Sequence, residues 1–164
     1  MPGAGKSTIG LMLAKTLAKD FVDTDLLIQL RENKTLQDIV DRDGYLKLRA
    51  IEEEVLLNSN YTDHIIATGG SAVYSDKAMQ HLKRLGLTVF LDLPVKDLMV
   101  RINNFDTRGL ARRQDQSFED LFNERQALYE KYADIRIACA GKTPETIINE
   151  IIYWETEIYT QRDA

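Results

Sequence analysis

Apolar positions along this chain alternate between two rhythms. Ile9, Leu11, Met12, Leu13 and Leu17 recur at helical spacing and predict a helix over 6–19. The compact run Asp20–Asp23 predicts a short strand, and helical spacing then predicts helices over about 25–32, 35–42 and 44–58. His64–Ala67 is a continuous apolar run of the buried-strand type, closed by Thr68, Gly69 and Gly70. A helix over about 76–85 stops at Gly86, as a helix C-terminus should, and 88–92 reads as the next strand. Pro94 opens a helix over 95–102, and a helix over 117–132, a strand over 135–139 and a closing helix from Thr143 or Pro144 to about 160 complete the pattern. Tyr153, Trp154, Ile158 and Tyr159 on that last helix are expected to be core.

Strands alternating with helices predict an α/β fold, in which right-handed crossovers build a parallel sheet with helices on both faces. Ligands of such a sheet bind at the carboxyl ends of its strands, which directs attention to Asp23–Asp25, Thr68–Ser71 and Asp92. The length of 164 residues fits one domain spanning 1–164.

Composition narrows the partners. A net charge of -5 argues against nucleic acid, which calls for a basic face. Cys139 is the only cysteine, so neither an internal disulfide nor a cysteine metal cluster can form. No apolar run approaches the roughly 20 residues of a membrane span, and residues 1–19 do not read as a leader. A cytoplasmic enzyme with a small-molecule substrate, and no membrane or nucleic-acid partner, is expected, with a monomer favoured.

The sharpest chemical signal is at the start. Gly3-Ala4-Gly5-Lys6-Ser7-Thr8 carries the end of a phosphate-binding loop, G-x-x-x-x-G-K-[ST]. Glycines let successive N–H groups converge on one anion, and the following helix adds its unpaired N–H groups and partial positive charge. Lys6 supplies a full charge for the outer phosphates, and the Ser7 hydroxyl can ligate Mg²⁺. The pattern's first glycine would fall one residue before Met1, and the apolar strand that feeds such a loop is missing. Met1 is therefore expected to be an internal methionine, and the sheet is expected to lack its first, central strand and to leave neighbouring edges unpaired.

Other positions carry two readings each. Asp23 and Asp25 at a strand end suit Mg²⁺ and a base for a hydroxyl, or else the start of a helix capped at Thr24 or Asp25. Arg49 and Glu52, three apart on a helix, read as a surface ion pair or as part of an anion site with Arg125. Thr68-Gly69-Gly70 is either backbone approaching a ligand or a simple turn. The polar stretch 103–116, with five charged side chains including Arg108, Arg112 and Arg113, is a solvated loop or a segment that closes over a nucleotide.

Taken in order, these pieces resemble the shikimate kinase family, over nearly the whole chain: the phosphate loop, Phe21-Val22-Asp23-Thr24-Asp25, Gly44 with Leu48-Arg49-Ala50-Ile51-Glu52, Thr68-Gly69-Gly70, Thr107-Arg108-Gly109-Leu110, and Arg125-Gln126-Ala127-Leu128-Tyr129 with Ala133-Asp134. The resemblance implies a three-layer phosphate-loop NTPase fold that uses ATP and Mg²⁺, with substrate-binding helices over about 25–58 and a lid over about 103–116. It implies that Gly3, Ala4, Gly5, Lys6, Ser7, Thr8 and Arg108 bind the nucleotide and that Ser7 and Asp23 hold the metal. Lys6, Asp25 and Arg108 would serve catalysis, Asp25 as the base for the acceptor hydroxyl. Arg49 and Arg125 would grip the acceptor's carboxylate, with Glu52 holding Arg49, and Gly69, Gly70 and Ser71 would line the acceptor site.

The expected activity is ATP-dependent phosphorylation of a hydroxyl on a small carboxylate-bearing metabolite, shikimate first. A gluconate-like sugar acid is the alternative acceptor, and a non-catalytic nucleotide-binding paralogue the alternative of another class. Two departures motivate the alternatives: Ser71 replaces the family's third glycine, and Arg108-Gly109-Leu110-Ala111 replaces a lid Arg-Pro-Leu-Leu, which predicts a more flexible lid.

Overall fold

A computed structural model of the chain describes residues 1–102, 109–113 and 115–162. Its elements run α1 (Lys6–Leu17), β1 (Asp20–Asp23), α2 (Thr24–Glu32), α3 (Leu36–Asp43), α4 (Tyr45–Leu57), β2 (His64–Ala67), a 3-10 turn (Ala72–Tyr74), α5 (Asp76–Leu85), β3 (Val89–Asp92), α6 (Val95–Arg101), α7 (Phe118–Tyr132), β4 (Ile135–Ala138) and α8 (Pro144–Arg162). Except for the 3-10 turn, each element lies where the apolar rhythm predicts it.

The four strands form two parallel pairs, β1 with β2 and β3 with β4. Between the pairs lies a groove of about 660 Å³, walled by β2 on one side and by Thr88–Leu91 on the other. The two halves of the sheet are therefore not hydrogen-bonded to each other among the described residues. This is the interruption expected from a phosphate loop that begins without its strand. Helix α1 packs on β1 and β2, and α8 packs on β4 and on α1, which ties the halves together.

The main core joins Ile9 and Leu13 of α1 to Leu91 and Leu93, Ile135 and Ile137 of β4, and Ile147, Ile148 and Ile151 of α8. A second cluster, Ile28, Ile39, Leu48, Ile51 and Val55, welds α2, α3 and α4 into one unit and takes in Ala111. Tyr153 and Trp154 correct the expectation for α8. They are 56% and 47% exposed and stack edge-on against each other, and Tyr159 is exposed too, while Ile151 and Ile158 on the inward stripe supply the packing.

Helix ends follow local chemistry. Thr35 and Ser117 each close a capping box, with Asp38 and Asp120, at the starts of α3 and α7. Ser75 caps α5. No helix among the described residues is long and apolar enough to cross a membrane.

Candidate active site

The loop before α1 has the shape its glycines permit. Gly3 (φ 77°) and Gly5 (φ 89°) both adopt left-handed backbone, which costs an L side chain strain. A Cβ on Gly3 would also stand 2.7 Å from the Ile102 side chain. Lys6 folds back so that its Nζ donates to the Met1 carbonyl at 2.9 Å. That contact holds the ammonium over the loop rather than letting it sweep through solvent.

Ser7 and Asp23 meet at the end of β1. The Ser7 hydroxyl donates to Asp23 Oδ2 at 2.5 Å, while Asp23 Oδ1 accepts the Asp25 N–H at 3.0 Å. Asp23 is itself the N-cap of α2, one residue earlier than the cap expected from sequence. The two readings of this segment thus coexist: one oxygen caps a helix, and the other faces Ser7. A hydroxyl and a carboxylate side by side are hard oxygen donors, and Mg²⁺ takes one or two such protein ligands and completes its shell with phosphates and water. The residues present fit Mg²⁺.

Beyond the loop lies a cavity of about 60 Å³ whose lining includes Lys6, Asp25, Glu52, Gly70, Ser71 and Arg125, roofed by Gly109–Ala111. Gly70, at the end of the Thr68–Gly70 turn, lines it, and side chains close tightly on that turn. Thr24 Oγ1 accepts the Gly69 N–H at 3.1 Å, and the Tyr129 hydroxyl donates to the Gly70 carbonyl at 2.6 Å. A Cβ on Gly69 would stand 2.5 Å from Asp25 Oδ1 and closer still to Glu52 Oε1. A Cβ on Gly70 would stand 2.9 Å from Arg125 Nη1. Glycine is needed at both positions because carboxylates and a guanidinium occupy the space.

Arg125 is 1% exposed, and its Nη2 donates to the Ala111 carbonyl at 3.0 Å. Arg49 Nη2 donates to the same carbonyl, also at 3.0 Å. The two guanidiniums, brought from α4 and α7, therefore converge on one oxygen. The expected Arg49–Glu52 pair does not form. Glu52 is buried and accepts a short hydrogen bond from the Ser71 hydroxyl on Oε2, while its Oε1 has no hydrogen-bond partner. Burial pushes the Glu52 carboxyl up to about 7; the Ser71 bond pulls it down, and the nearby Asp25 charge pushes it up. Arg49 instead lies across the Tyr74 ring, with its Cζ 3.5 Å from the centroid, and its Nε is buried without a partner.

Gly109 alters the second departure as well. Its φ of 67° is closed to proline, whose ring holds φ near −65°. Its N–H donates to Gln37 Oε1 at 2.6 Å, and a Cβ there would strike the Leu36–Gln37 backbone. Glycine in place of proline therefore permits a left-handed turn that packs against the start of α3. Arg108, expected to serve the nucleotide and catalysis, and the lid residues 103–107 and 114 lie outside the described residues.

The model for the family described as shikimate kinase matches residues 2–155. The chain belongs to the shikimate kinase family. A shikimate kinase from Persephonella marina is 34% identical over 153 residues, covering 92% of each chain. Among solved structures, the shikimate kinase from Acinetobacter baumannii in complex with shikimate superposes with a TM-score of 0.84 at 28% identity, over 92% of this chain and 86% of that one. The Aquifex aeolicus shikimate kinase superposes with a TM-score of 0.79 at 34% identity, over 92% and 89%. The fold is that of the phosphate-loop kinases, and ATP and Mg²⁺ are the cofactors of the family.

Tyr74 is the site residue that sequence reasoning missed. A tyrosine four positions beyond Gly70 carries no motif signal, and only the fold brings it to Arg49 and Arg125.

Proposed function

We propose that this chain transfers the γ-phosphoryl group of ATP to a hydroxyl of shikimate, as a single-domain cytoplasmic monomer. The observation that carries this reading is the single cavity onto which Lys6, Asp25 and Arg125 open. A cation for phosphate, a carboxylate for a hydroxyl and a guanidinium for a carboxylate are the three recognitions the reaction needs.

In this reading Gly3, Ala4, Gly5 and Thr8 cradle the nucleotide phosphates with the N-terminus of α1. Lys6 neutralises charge on the transferring group. Ser7 and Asp23 would hold Mg²⁺, which would supply positive charge to neutralise the phosphates. Asp25 orients the acceptor hydroxyl and takes its proton as the O–P bond forms. Arg49 and Arg125 exchange the Ala111 carbonyl for the acceptor's carboxylate, and Gly69, Gly70 and Ser71 fix its ring. Catalysis then rests on positioning and charge neutralisation, with no covalent enzyme intermediate.

The test is ADP release with Mg-ATP across shikimate, gluconate and quinate. Turnover with shikimate alone is the expected outcome. Turnover with gluconate alone moves the acceptor to a sugar acid, and ATP binding without turnover on any acid overturns the kinase reading.

A further inference from the structure

The two guanidiniums are held in an unusual way. Arg49, the more accessible of the two, has no carboxylate partner among the described residues. Its guanidinium instead covers the Tyr74 ring at 3.5 Å, with the Tyr45 ring centroid 5.0 Å away. Arg125 also meets Tyr74, with Nε donating to the tyrosine oxygen at 3.3 Å and Cζ over the ring at 5.3 Å from its centroid. One aromatic side chain therefore touches both arginines.

The ring's own orientation is fixed from the far side. The Tyr74 hydroxyl donates a short hydrogen bond to Glu124 Oε1, and Glu124 Oε2 accepts Gln116 Nε2 at 2.6 Å. Gln116 is 4% exposed, so this chain of contacts ends in packed structure. Burial and the bond to Glu124 raise the Tyr74 hydroxyl's pKa above its ordinary value, which keeps it a donor.

The manner of support matters chemically. A carboxylate partner would occupy the fork of a guanidinium, the same in-plane N–H groups that bind a substrate carboxylate. Stacking on an aromatic face uses the plane of the guanidinium and leaves its edges available. The negative face of the ring also offsets the repulsion between two adjacent cations.

Resting on the assignment of Arg49 and Arg125 to the acceptor's carboxylate, we infer that Tyr74 is the positioning residue of the acceptor site: its ring holds both guanidiniums with their forks directed at the carboxylate, and it thereby sets affinity for acidic acceptors without contacting the nucleotide.

The experiment measures Kd by calorimetry for shikimate and, separately, for Mg-ADP. Tyr74→Leu should weaken shikimate about tenfold and leave Mg-ADP within about twofold of wild type. Tyr74→Phe, which keeps the face and loses the hydroxyl, should stay within about threefold of wild type for both ligands. Tyr74→Met, which also removes the aromatic face, supplies the same comparison if the leucine variant does not fold. An unchanged shikimate Kd in Tyr74→Leu overturns the inference. So does equal weakening of both ligands, or a phenylalanine variant as weak as the leucine one. Arg49→Lys and Arg125→Lys are run alongside. If they weaken shikimate while Tyr74→Leu does not, Tyr74 loses its role and the arginines keep theirs. If neither lysine variant weakens shikimate, the carboxylate assignment itself falls, and the inference with it.

Discussion

The phosphate end and the acceptor end of the site are built by different means. At the phosphate end the contacts are shorter in sequence: Lys6 to Met1 spans five residues, the Asp23 cap on α2 spans two, and Ser7 to Asp23 spans 16. At the acceptor end they cross the fold: Thr24 reaches Gly69 over 45 residues, Tyr74 reaches Glu124 over 50, and Arg49 reaches Ala111 over 62. The first region is partly exposed and polar, whereas the second buries Glu52 and Arg125 almost completely. A loop written mainly by neighbouring residues depends on fewer distant partners, here Asp23 and Ile102. A buried constellation drawn from four elements can be retuned by one substitution at any of them. Phosphoryl chemistry and acceptor choice are therefore separable in this architecture.

The strongest test of that separation is Lys6→Ala. It should lower phosphoryl transfer roughly 10²–10³-fold, the scale of losing one preorganised charge on a transferring group. The melting temperature and the shikimate Kd should stay near wild-type values, because the Lys6 ammonium donates to the Met1 carbonyl of its own loop and serves the nucleotide phosphates in this reading. Calorimetry and ADP release on the same preparation read all three. A matching loss of shikimate affinity would merge the two regions into one.

The same contrast explains what the sequence made legible. Strands β1 and β2 end as the apolar runs end, because a buried strand followed by Gly or a capping residue leaves few alternatives. The glycine–lysine–serine loop was readable because its geometry is encoded in consecutive residues. The acceptor end was readable only as a set of separate candidates. Arg49 and Glu52 lie one helical turn apart, and a local rule pairs them. The fold instead puts Ser71 against Glu52 and Tyr74 against Arg49, and nothing within a few residues of either announces that. Tyr153 and Trp154 misled for a related reason: apolar character alone does not say which stripe of a helix faces the core.

Glu52 offers a second, somewhat smaller effect, confined to the acceptor end. Its carboxyl is raised from 4.5 to about 7, chiefly by burial. The folded state therefore binds more protons than the unfolded chain between those values. Stability from this group is complete below about 4.5 and is lost as pH rises through about 7. The loss amounts to about 3 kcal/mol between pH 4 and pH 8. Glu52→Gln is neutral throughout, so the difference in unfolding free energy between variant and wild type, measured by denaturant titration, should change by that amount across the range. A difference that does not vary with pH would mean that Glu52 is ionised in the folded protein and compensated by Arg125 and Lys6.

Ser71 should give the smallest effect, and it decides what the departure from the family's glycine does. The Ser71 hydroxyl favours the ionised form of Glu52, so Ser71→Ala should raise the Glu52 midpoint further, by up to roughly one pH unit, the scale of one buried hydrogen bond. Ser71 has φ −99°, so alanine and glycine both fit its backbone without strain. If the residue acts through its hydroxyl, Ser71→Ala and Ser71→Gly shift the stability profile equally, and neither shifts it in a Glu52→Gln background. If it acts by filling space beside the acceptor, alanine behaves like serine and only glycine changes the shikimate Kd. In both cases the Mg-ADP Kd should hold. A change there would show that the acceptor end reaches the phosphate loop through Gly70, which packs between Arg125 and Pro2.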